Sequence, residues 1–211
     1  MKKVLIILGI LLSTTLVNAQ VINLRYNIEQ VTVQISLYNS EGKNSASCTG
    51  VVIKNTPEMS EVLTAKHCVE NRNIAYIDNI SSNTFSKSQR DDLAIIYFDK
   101  SLPSKLVTKL FYGKIKRGDI VYHLGLTKNI IYGNGKITHL YFSSAKSTIK
   151  VEHGCSGGGV FNDDGELVSV VWGGFLEATE EAPRKSVAEP LNDIKTFLRL
   201  VLPKALEKKP E

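Results

Sequence analysis

Alternation of apolar and polar residues is the main pattern along this chain. Residues 31–39, VTVQISLYN, alternate with period two, which is typical of a strand with one buried face. Turn residues recur between such segments and separate them at short intervals. The spacing predicts an all-β barrel or sandwich, with nearly everything up to Gly174 in strands and turns. Further strands are predicted at 47–53, 60–67, 73–77, 92–98, 119–125, 134–142, 147–152 and 166–172.

The two ends of the chain depart from this pattern. Residues 1–19 contain two lysines, an apolar run and then small residues, which is typical of a secretory signal peptide cleaved after Ala19. A membrane anchor is the alternative, but the run is shorter than the ~20 apolar residues of a spanning helix. At the other end, Asn192 is a favourable N-cap. Apolar residues at helical spacing follow it and predict an amphipathic C-terminal helix: Ile194, Phe197, Leu198, Val201 and Leu202.

Composition narrows the class of protein. Residues 20–211 suffice for one domain, or two small packed halves, with a hydrophobic core. The net charge of +5 includes Lys2 and Lys3 of the signal peptide, and the other lysines are scattered, so nucleic acid is not expected as a partner. The signal peptide predicts a secreted or periplasmic protein without a stable membrane anchor after cleavage.

Three cysteines, Cys48, Cys68 and Cys155, enter an oxidising compartment if the chain is exported. One disulfide and one free thiol are therefore expected. Spacing alone leaves open which two cysteines pair.

Three fragments carry candidate chemistry: LTAKHC at 63–68, DDLAII at 91–96 and GCSGGGVF at 154–161. Each is weak alone, because a lone histidine is more often a surface or core residue and an aspartate before a strand is more often a turn residue. Together they supply a serine, a histidine that can take its proton, and an aspartate that can orient the histidine. Their combination indicates nucleophilic catalysis by serine.

On these fragments the chain resembles the trypsin-like serine proteases of the chymotrypsin fold. LTAKHC is similar to the family's L-T-A-A-H-C, DLAII to D-I-A-L-L, and GCSGGGVF to G-D-S-G-G-P. The similarity runs from about residue 31 to about residue 200, and the order of segments resembles the compact bacterial branch that includes the HtrA-like proteases, without a PDZ domain. It implies two six-stranded antiparallel β-barrels with a C-terminal α-helix, divided near residues 100–118.

The resemblance also implies roles for individual residues. His67 would be the general base, Asp92 would orient it, and Ser156 would be the nucleophile. The backbone N–H groups of Gly154 and Ser156 would form the oxyanion hole. Asp91 is the neighbouring alternative to Asp92, but the family places its aspartate directly before the strand.

A substrate-binding strand is implied as well. ELVSVVWGG is similar to the family's strand ending in S-W-G, so Val171, Trp172 and Gly173 are expected to bind substrate backbone. Lys150 stands where the trypsin pocket carries an aspartate, and His153 lies near the rim. A cation in that pocket would favour acidic substrate side chains. The alternative is that Lys150 points to solvent on a strand whose register the sequence leaves open.

The cysteines mark both a match and a departure. Cys48 and Cys68 match the family's disulfide beside the histidine, which implies that they pair and leave Cys155 free. Cys155 occupies the position of the aspartate that zymogen-type relatives pair with a new N-terminus, so activation by propeptide cleavage is not expected. Cys155 is the alternative nucleophile, but Ser156 alone has the family's glycines two residues before and one after it.

These features predict a secreted serine endopeptidase that acts on protein or peptide substrates without a cofactor or metal. The four histidines show no metal-ligand spacing. The alternative is a catalytically inactive binding protein of the same fold. Cys155 and Gly159, the latter standing where proline is usual, are the departures that could impair the oxyanion hole.

Overall fold

Short strands make up most of the part of the chain that the computed structural model describes, residues 21–141, 144–174 and 186–190. The predicted signal peptide and C-terminal helix lie outside these residues. None of the described helices has the length and apolar character needed to cross a membrane. In chain order the elements are α1 (21–31), β1 (Thr32–Tyr38), β2 (Asn44–Asn55), β3 (Ser60–Ala65), α2 (Lys66–Val69), β4 (Ile74–Ile77), β5 (Ile80–Ser82), β6 (Thr84–Lys87), β7 (Leu93–Phe98), β8 (Ile120–Leu126), β9 (Ile130–Leu140), β10 (Ala145–Ser147), β11 (Gly159–Phe161), β12 (Leu167–Gly174) and β13 (Ser186–Pro190).

The first sheet is antiparallel with strand order β5-β4-β1-β2-β3-β7-β6. Its two edge strands are separated in sequence only by Asn83, so the sheet curls until its edges meet. The hydroxyl of Ser82 donates to the carbonyl of Tyr97 across this closure. The enclosed core includes the buried side chains of Ile35, Leu37, Val62, Ile96 and Phe98.

The second sheet is a closed antiparallel barrel with strand order β10-β13-β12-β11-β8-β9. Its core includes Val121, Ile149, Val160, Val168 and Val171. The two-barrel fold that the resemblance implies is therefore confirmed, with seven strands rather than six in the first sheet. Two strands of this sheet, β5 and β6, were not predicted from the sequence, because they are three and four residues long, largely polar, and lack the alternation that predicts a strand.

Helix α1 corrects the expectation of strands and turns alone. Leu24, Ile28 and Val31 recur at helical spacing and are buried against side chains from both barrels. The Lys105 ammonium, on the segment that connects the barrels, donates to the carbonyls of Glu29 at 3.0 Å and Thr32 at 2.7 Å, at the end of this helix. The helix is thus fixed to the junction of the barrels. The buried residues that it meets include Val51, Leu63, Leu124, Phe161 and Val170.

Local boundaries also differ from the predictions. The strand predicted at 60–67 ends at Ala65, because the chain turns into α2 at Lys66. The strand predicted at 147–152 is instead β10, Ala145–Ser147, and residues 148–152 have no regular structure. The pattern missed β11 and β13, which complete the second barrel.

A disulfide joins Cys48 in β2 to Cys68 in α2, and Cys155 is free and buried. The pairing implied by the resemblance is therefore present. Its two cysteines are separated by 20 positions in the sequence, and a loop of this size gives a stabilisation of about 3 kcal/mol in the chain-entropy model. The bridge connects the centre of the first sheet to the helix that carries His67.

We predict that the double variant Cys48→Ala/Cys68→Ala loses about 3 kcal/mol of unfolding free energy in urea. Mass spectrometry of unreduced peptides should find the pair Cys48–Cys68. Cys155 should react with an alkylating agent only after denaturation, since its side chain has no exposed surface. A bridge that contains Cys155 would contradict both the pairing and the burial.

Candidate active site

His67 and Asp92 meet because their strands are paired. β3 lies beside β7 with Ala65 opposite Leu93, so the residues that follow β3 and precede β7 come together. The Lys66 N–H donates to the Asp92 carbonyl at 3.1 Å, and the His67 N–H donates to Oδ1 of Asp92 at 2.8 Å. Nδ1 of His67 lies 2.6 Å from Oδ2 of the same carboxylate.

This arrangement selects the histidine tautomer. Because a carboxylate only accepts, the proton of His67 sits on Nδ1 and leaves Nε2 as a proton acceptor. The His67 side chain is 43% exposed and that of Asp92 is 21% exposed, so the ring can be reached from solvent while its carboxylate is partly shielded. The pair therefore has the hydrogen-bond arrangement and the solvent access that a general base requires.

Asp91 faces a different partner. Its Oδ2 accepts from the Ser88 hydroxyl at 3.2 Å, and its N–H donates to the same hydroxyl oxygen at 3.1 Å. These bonds close a turn before β7. Asp91 is therefore a turn residue, and Asp92 is the carboxylate that contacts His67.

Glycines shape the loop that carries Ser156. Gly154 has φ +97° and Gly157 has φ +83°, both in the left-handed region that favours glycine. A Cβ on Gly157 would lie 2.0 Å from Oγ1 of Thr64 and 2.3 Å from the carbonyl oxygen of Thr49. Only glycine allows the loop to approach the first barrel this closely.

The amides of this loop fall into two groups. Those of Cys155, Gly157 and Gly158 donate to the carbonyls of Glu152, Val171 and Cys155, at 3.0, 2.7 and 3.0 Å. The amides of Gly154 and Ser156 donate to no group within the described part of the chain. These last two are the amides that the resemblance assigns to an oxyanion hole, and they are available to a ligand.

The Cys68 sulfur of the disulfide lies near both Ser156 and His67. The Cys68 sulfur is 3.9 Å from Nε2 of His67 and 3.8 Å from the carbonyl oxygen of Ser156. The Ser156 hydroxyl and Nε2 form no hydrogen bond with each other in this structure. Catalytic hydrogen bonds are often long in free enzymes and shorten when substrate binds.

Cys155 and His123 fill the space beneath the loop, and both side chains are fully buried. Burial raises the pKa of the Cys155 thiol, whose sulfur accepts the Glu152 N–H at 3.4 Å. A neutral, inaccessible thiol is a packing group rather than a nucleophile. Nδ1 of His123 donates to the Gly159 carbonyl at 2.9 Å, while Nε2 has no partner among the described residues.

Burial also lowers the pKa of His123 from 6.5 to about 4, so its ring is neutral at physiological pH. A Cβ on Gly125 would lie 2.3 Å from the Cys155 sulfur and 3.0 Å from Nε2 of His123. The ring of His123 and the thiol of Cys155 thus both lie against Gly125 of β8. Sequence reasoning considered His123 only as a metal ligand, although its position within the apolar run VYHLG indicates burial.

Val171, the first of the three residues expected to bind substrate backbone, has both of its backbone groups bonded within the protein. The Val171 carbonyl accepts from Gly157 at 2.7 Å and the Val171 N–H donates to Gly158 at 2.9 Å, so both backbone groups already support the loop. Its side chain is buried as well. Trp172, which is 39% exposed, and the half-buried Gly173 are the accessible part of this segment.

Lys150 and His153 lie on the loop before Gly154, and both side chains are exposed. Neither forms an ion pair with any acidic side chain in the described ranges. In the same ranges, no three His, Cys, Asp or Glu side chains come together in a way that could hold a metal ion.

Comparison with known proteins agrees with this geometry. The family model described as trypsin-like peptidase domain matches residues 48–170, a segment that contains His67, Asp92 and Ser156. No curated protein matches the sequence.

The pKa of His123 predicts a pH dependence of stability. Between pH 6.5 and about 4 the unfolded chain binds a proton that the folded protein does not. The stabilisation is therefore complete above pH 6.5 and falls as the pH drops, by about 2–3 kcal/mol near pH 4. His123→Gln should flatten this decline in urea unfolding experiments, while the exposed matched control His139→Gln should retain it. If the unfolding free energy fell equally between pH 6.5 and pH 4 in the two variants, the assignment of this pH dependence to His123 would be wrong.

Proposed function

Because the chain belongs to the family of trypsin-like peptidase domains, we propose that it is a serine endopeptidase that forms an acyl-enzyme on Ser156. The main support is that the Asp92 carboxylate accepts two hydrogen bonds from His67, one from the ring and one from the main-chain N–H. That pattern supplies the tautomer and the orientation that activate a serine. Residues 20–211 would form the protease domain, with one barrel on each side of residues 100–118.

In the proposed acylation step, Ser156 Oγ attacks the carbonyl carbon of the scissile peptide bond. Nε2 of His67 takes the hydroxyl proton as the new C–O bond forms, and the Asp92 carboxylate stabilises the resulting imidazolium. The negative charge moves to the carbonyl oxygen, where the amides of Gly154 and Ser156 would donate to it. The imidazolium then protonates the leaving amine as the C–N bond breaks.

Deacylation repeats these steps with water. Nε2 of His67 removes a proton from a water molecule that attacks the acyl carbon, and the same two amides hold the second oxyanion. The imidazolium returns its proton to Ser156 Oγ as the ester bond breaks. The products are a carboxylic acid and the free enzyme, so atoms and protons balance.

We propose that the substrate is an extended segment of protein or peptide that meets the accessible backbone at Trp172 and Gly173. The exposed position of Lys150 supports the alternative in which this side chain is solvated rather than the one in which it selects acidic residues. The disulfide Cys48–Cys68 supports a secreted or periplasmic location, because such bonds persist in oxidising compartments.

A catalytically inactive binding protein of the same fold is the second candidate. One observation favours it: Ser156 and His67 form no hydrogen bond in the free protein. Covalent labelling of Ser156 separates the two candidates, because it requires an activated serine rather than the fold alone.

We predict that a fluorophosphonate probe labels Ser156 in the wild-type protein. Ser156→Ala should abolish labelling and lower peptide hydrolysis by about a millionfold, because the nucleophile is lost. The matched control Ser40→Ala, at an exposed turn, should behave like wild type in both assays. Hydrolysis that persists undiminished in Ser156→Ala would exclude the serine mechanism.

The two adjacent aspartates provide a second matched pair. Asp92→Asn keeps the size of the side chain but stabilises the wrong tautomer of His67, so kcat should fall by about ten-thousandfold. Asp91→Asn alters only the turn with Ser88 and should leave kcat within about threefold of wild type. The measurement is kcat for a fluorogenic peptide, and comparable losses in both variants would argue against Asp92 as the orienting residue.

A further inference from the structure

Thr49, on strand β2 of the first barrel, makes polar contacts with the loop that carries Ser156 in the second barrel. We propose that Thr49 is a positioning residue for the oxyanion hole, acting through the carbonyls of Gly154 and Ser156. The inference rests on the proposed function of Ser156. It names a residue that neither touches the substrate nor belongs to the triad.

Thr49 uses all of its hydrogen-bonding groups. Its N–H donates to the Ser156 carbonyl at 2.9 Å, and its hydroxyl donates to the Gly154 carbonyl at 2.7 Å. The hydroxyl oxygen accepts the Leu126 N–H at 3.0 Å, and the Leu126 carbonyl is a more distant acceptor at 3.4 Å. Because the side chain is fully buried, no bulk water can replace these bonds.

These bonds fix alternate peptide groups of the loop. The Gly154 carbonyl belongs to the peptide group before Cys155, and the Ser156 carbonyl belongs to the one before Gly157. Between them lies the peptide group that presents the Ser156 N–H. Thr49 therefore holds both neighbours of the group that would bind the oxyanion. A displaced donor would lose much of its effect, since oxyanion stabilisation depends on donors fixed in advance.

Thr49 is itself held in register with the histidine. Its carbonyl accepts the Thr64 hydroxyl at 2.9 Å, on the strand that leads to His67. The preceding residue, Cys48, is joined by the disulfide to Cys68, which follows His67. The bonds of Thr49 thus connect the serine loop to the part of the first barrel that carries the base.

The loop that carries Ser156 needs an anchor such as Thr49 because the residue directly before the serine carries no charge. Cys155 occupies the position before the serine, and its buried thiol carries no charge that could anchor the loop through an ion pair. The hydroxyl of Thr49 gives the loop a directional bond from the opposite barrel instead. The contact spans residues that are 105 positions apart in the sequence.

The test is Thr49→Val, which keeps the branched shape of the side chain and replaces the hydroxyl with a methyl group. We expect kcat for a fluorogenic peptide to fall about tenfold to a hundredfold, with KM within about twofold of wild type. The reason is that the amides of Gly154 and Ser156 would stabilise the oxyanion of the transition state rather than the bound substrate. Thr49→Ser retains the hydroxyl and should restore most of kcat. Thr49→Ala provides a second variant without the hydroxyl if the valine variant does not fold.

Thr32→Val is the matched stability control. Thr32 is also a fully buried threonine of the first sheet, and its hydroxyl donates to the Ile28 carbonyl at 2.7 Å, far along the chain from the loop. Thr32→Val should lower the melting temperature without lowering kcat.

For Thr49→Val, the pH profile of kcat/KM should have the same shape as that of wild type, because the hydrogen bonds between His67 and Asp92 are unchanged.

The outcomes separate this inference from the proposed function. Suppose that the fluorophosphonate probe labels wild type, and that it labels folded Thr49→Val or Thr49→Ala at the same rate as wild type. The positioning role is then wrong, and the serine mechanism stands. An equal loss of kcat in Thr49→Ser, or in Thr32→Val, would also overturn it. If wild type is not labelled at all, the proposed function fails first.

Discussion

Hydrogen bonds across the junction of the two barrels are the interactions on which the candidate site depends. His67 and Asp92 lie on the first barrel, whereas Ser156 lies on the second. The proposed mechanism therefore requires both barrels in their docked arrangement. Thr49 supplies hydrogen bonds between the two barrels, and the core formed by α1 and both barrels supplies apolar contacts. Because buried polar groups without partners are costly, these bonds also restrict how the barrels can dock.

Among the described residues, no ion pair lies beneath the loop that carries Ser156. The thiol of Cys155 and the ring of His123 are both neutral at physiological pH, since burial disfavours their charged forms. A charged group at this depth would need a partner to offset its desolvation. Neutral groups instead fill the volume, and hydrogen bonds to carbonyls and amides determine the conformation of the loop. This chemistry is consistent with a site that needs no newly formed N-terminus.

Much of the fold was predictable because its central strands alternate or are wholly apolar. The strands β1, β7 and β12 match their predicted segments to within two residues at each end. The edge strands β5 and β6 were not predictable in this way, since three or four largely polar residues become strands only by pairing with neighbours. Helix α1 left a weaker signal, three apolar positions at helical spacing, that lay just before a stronger strand pattern.

The candidate site was also predictable from the sequence only in part. His67 and Asp92 were proposed as partners from short motifs that resemble those of the family. In the structure they are in contact because β3 and β7 pair in register. The motif that contains Val171 specifies residue types but not backbone partners, so it did not predict that the N–H and carbonyl of Val171 bond to Gly158 and Gly157. Thr49 had no sequence signal, since its role arises from the docking of two barrels rather than from any local pattern.

Close approach, rather than flexibility, explains the glycines around Ser156. The loop must come near enough to β2 for its carbonyls to reach Thr49, and any side chain at Gly157 would collide with the backbone and hydroxyl groups that it approaches. The positive φ of Gly157 removes the alternative of turning a side chain aside, because other residues are strained in that region. A segment whose composition suggests mobility is thereby held by close contacts and hydrogen bonds. In the proposed mechanism this constraint would aid catalysis, because amides that are already oriented need no rearrangement when charge develops on the substrate.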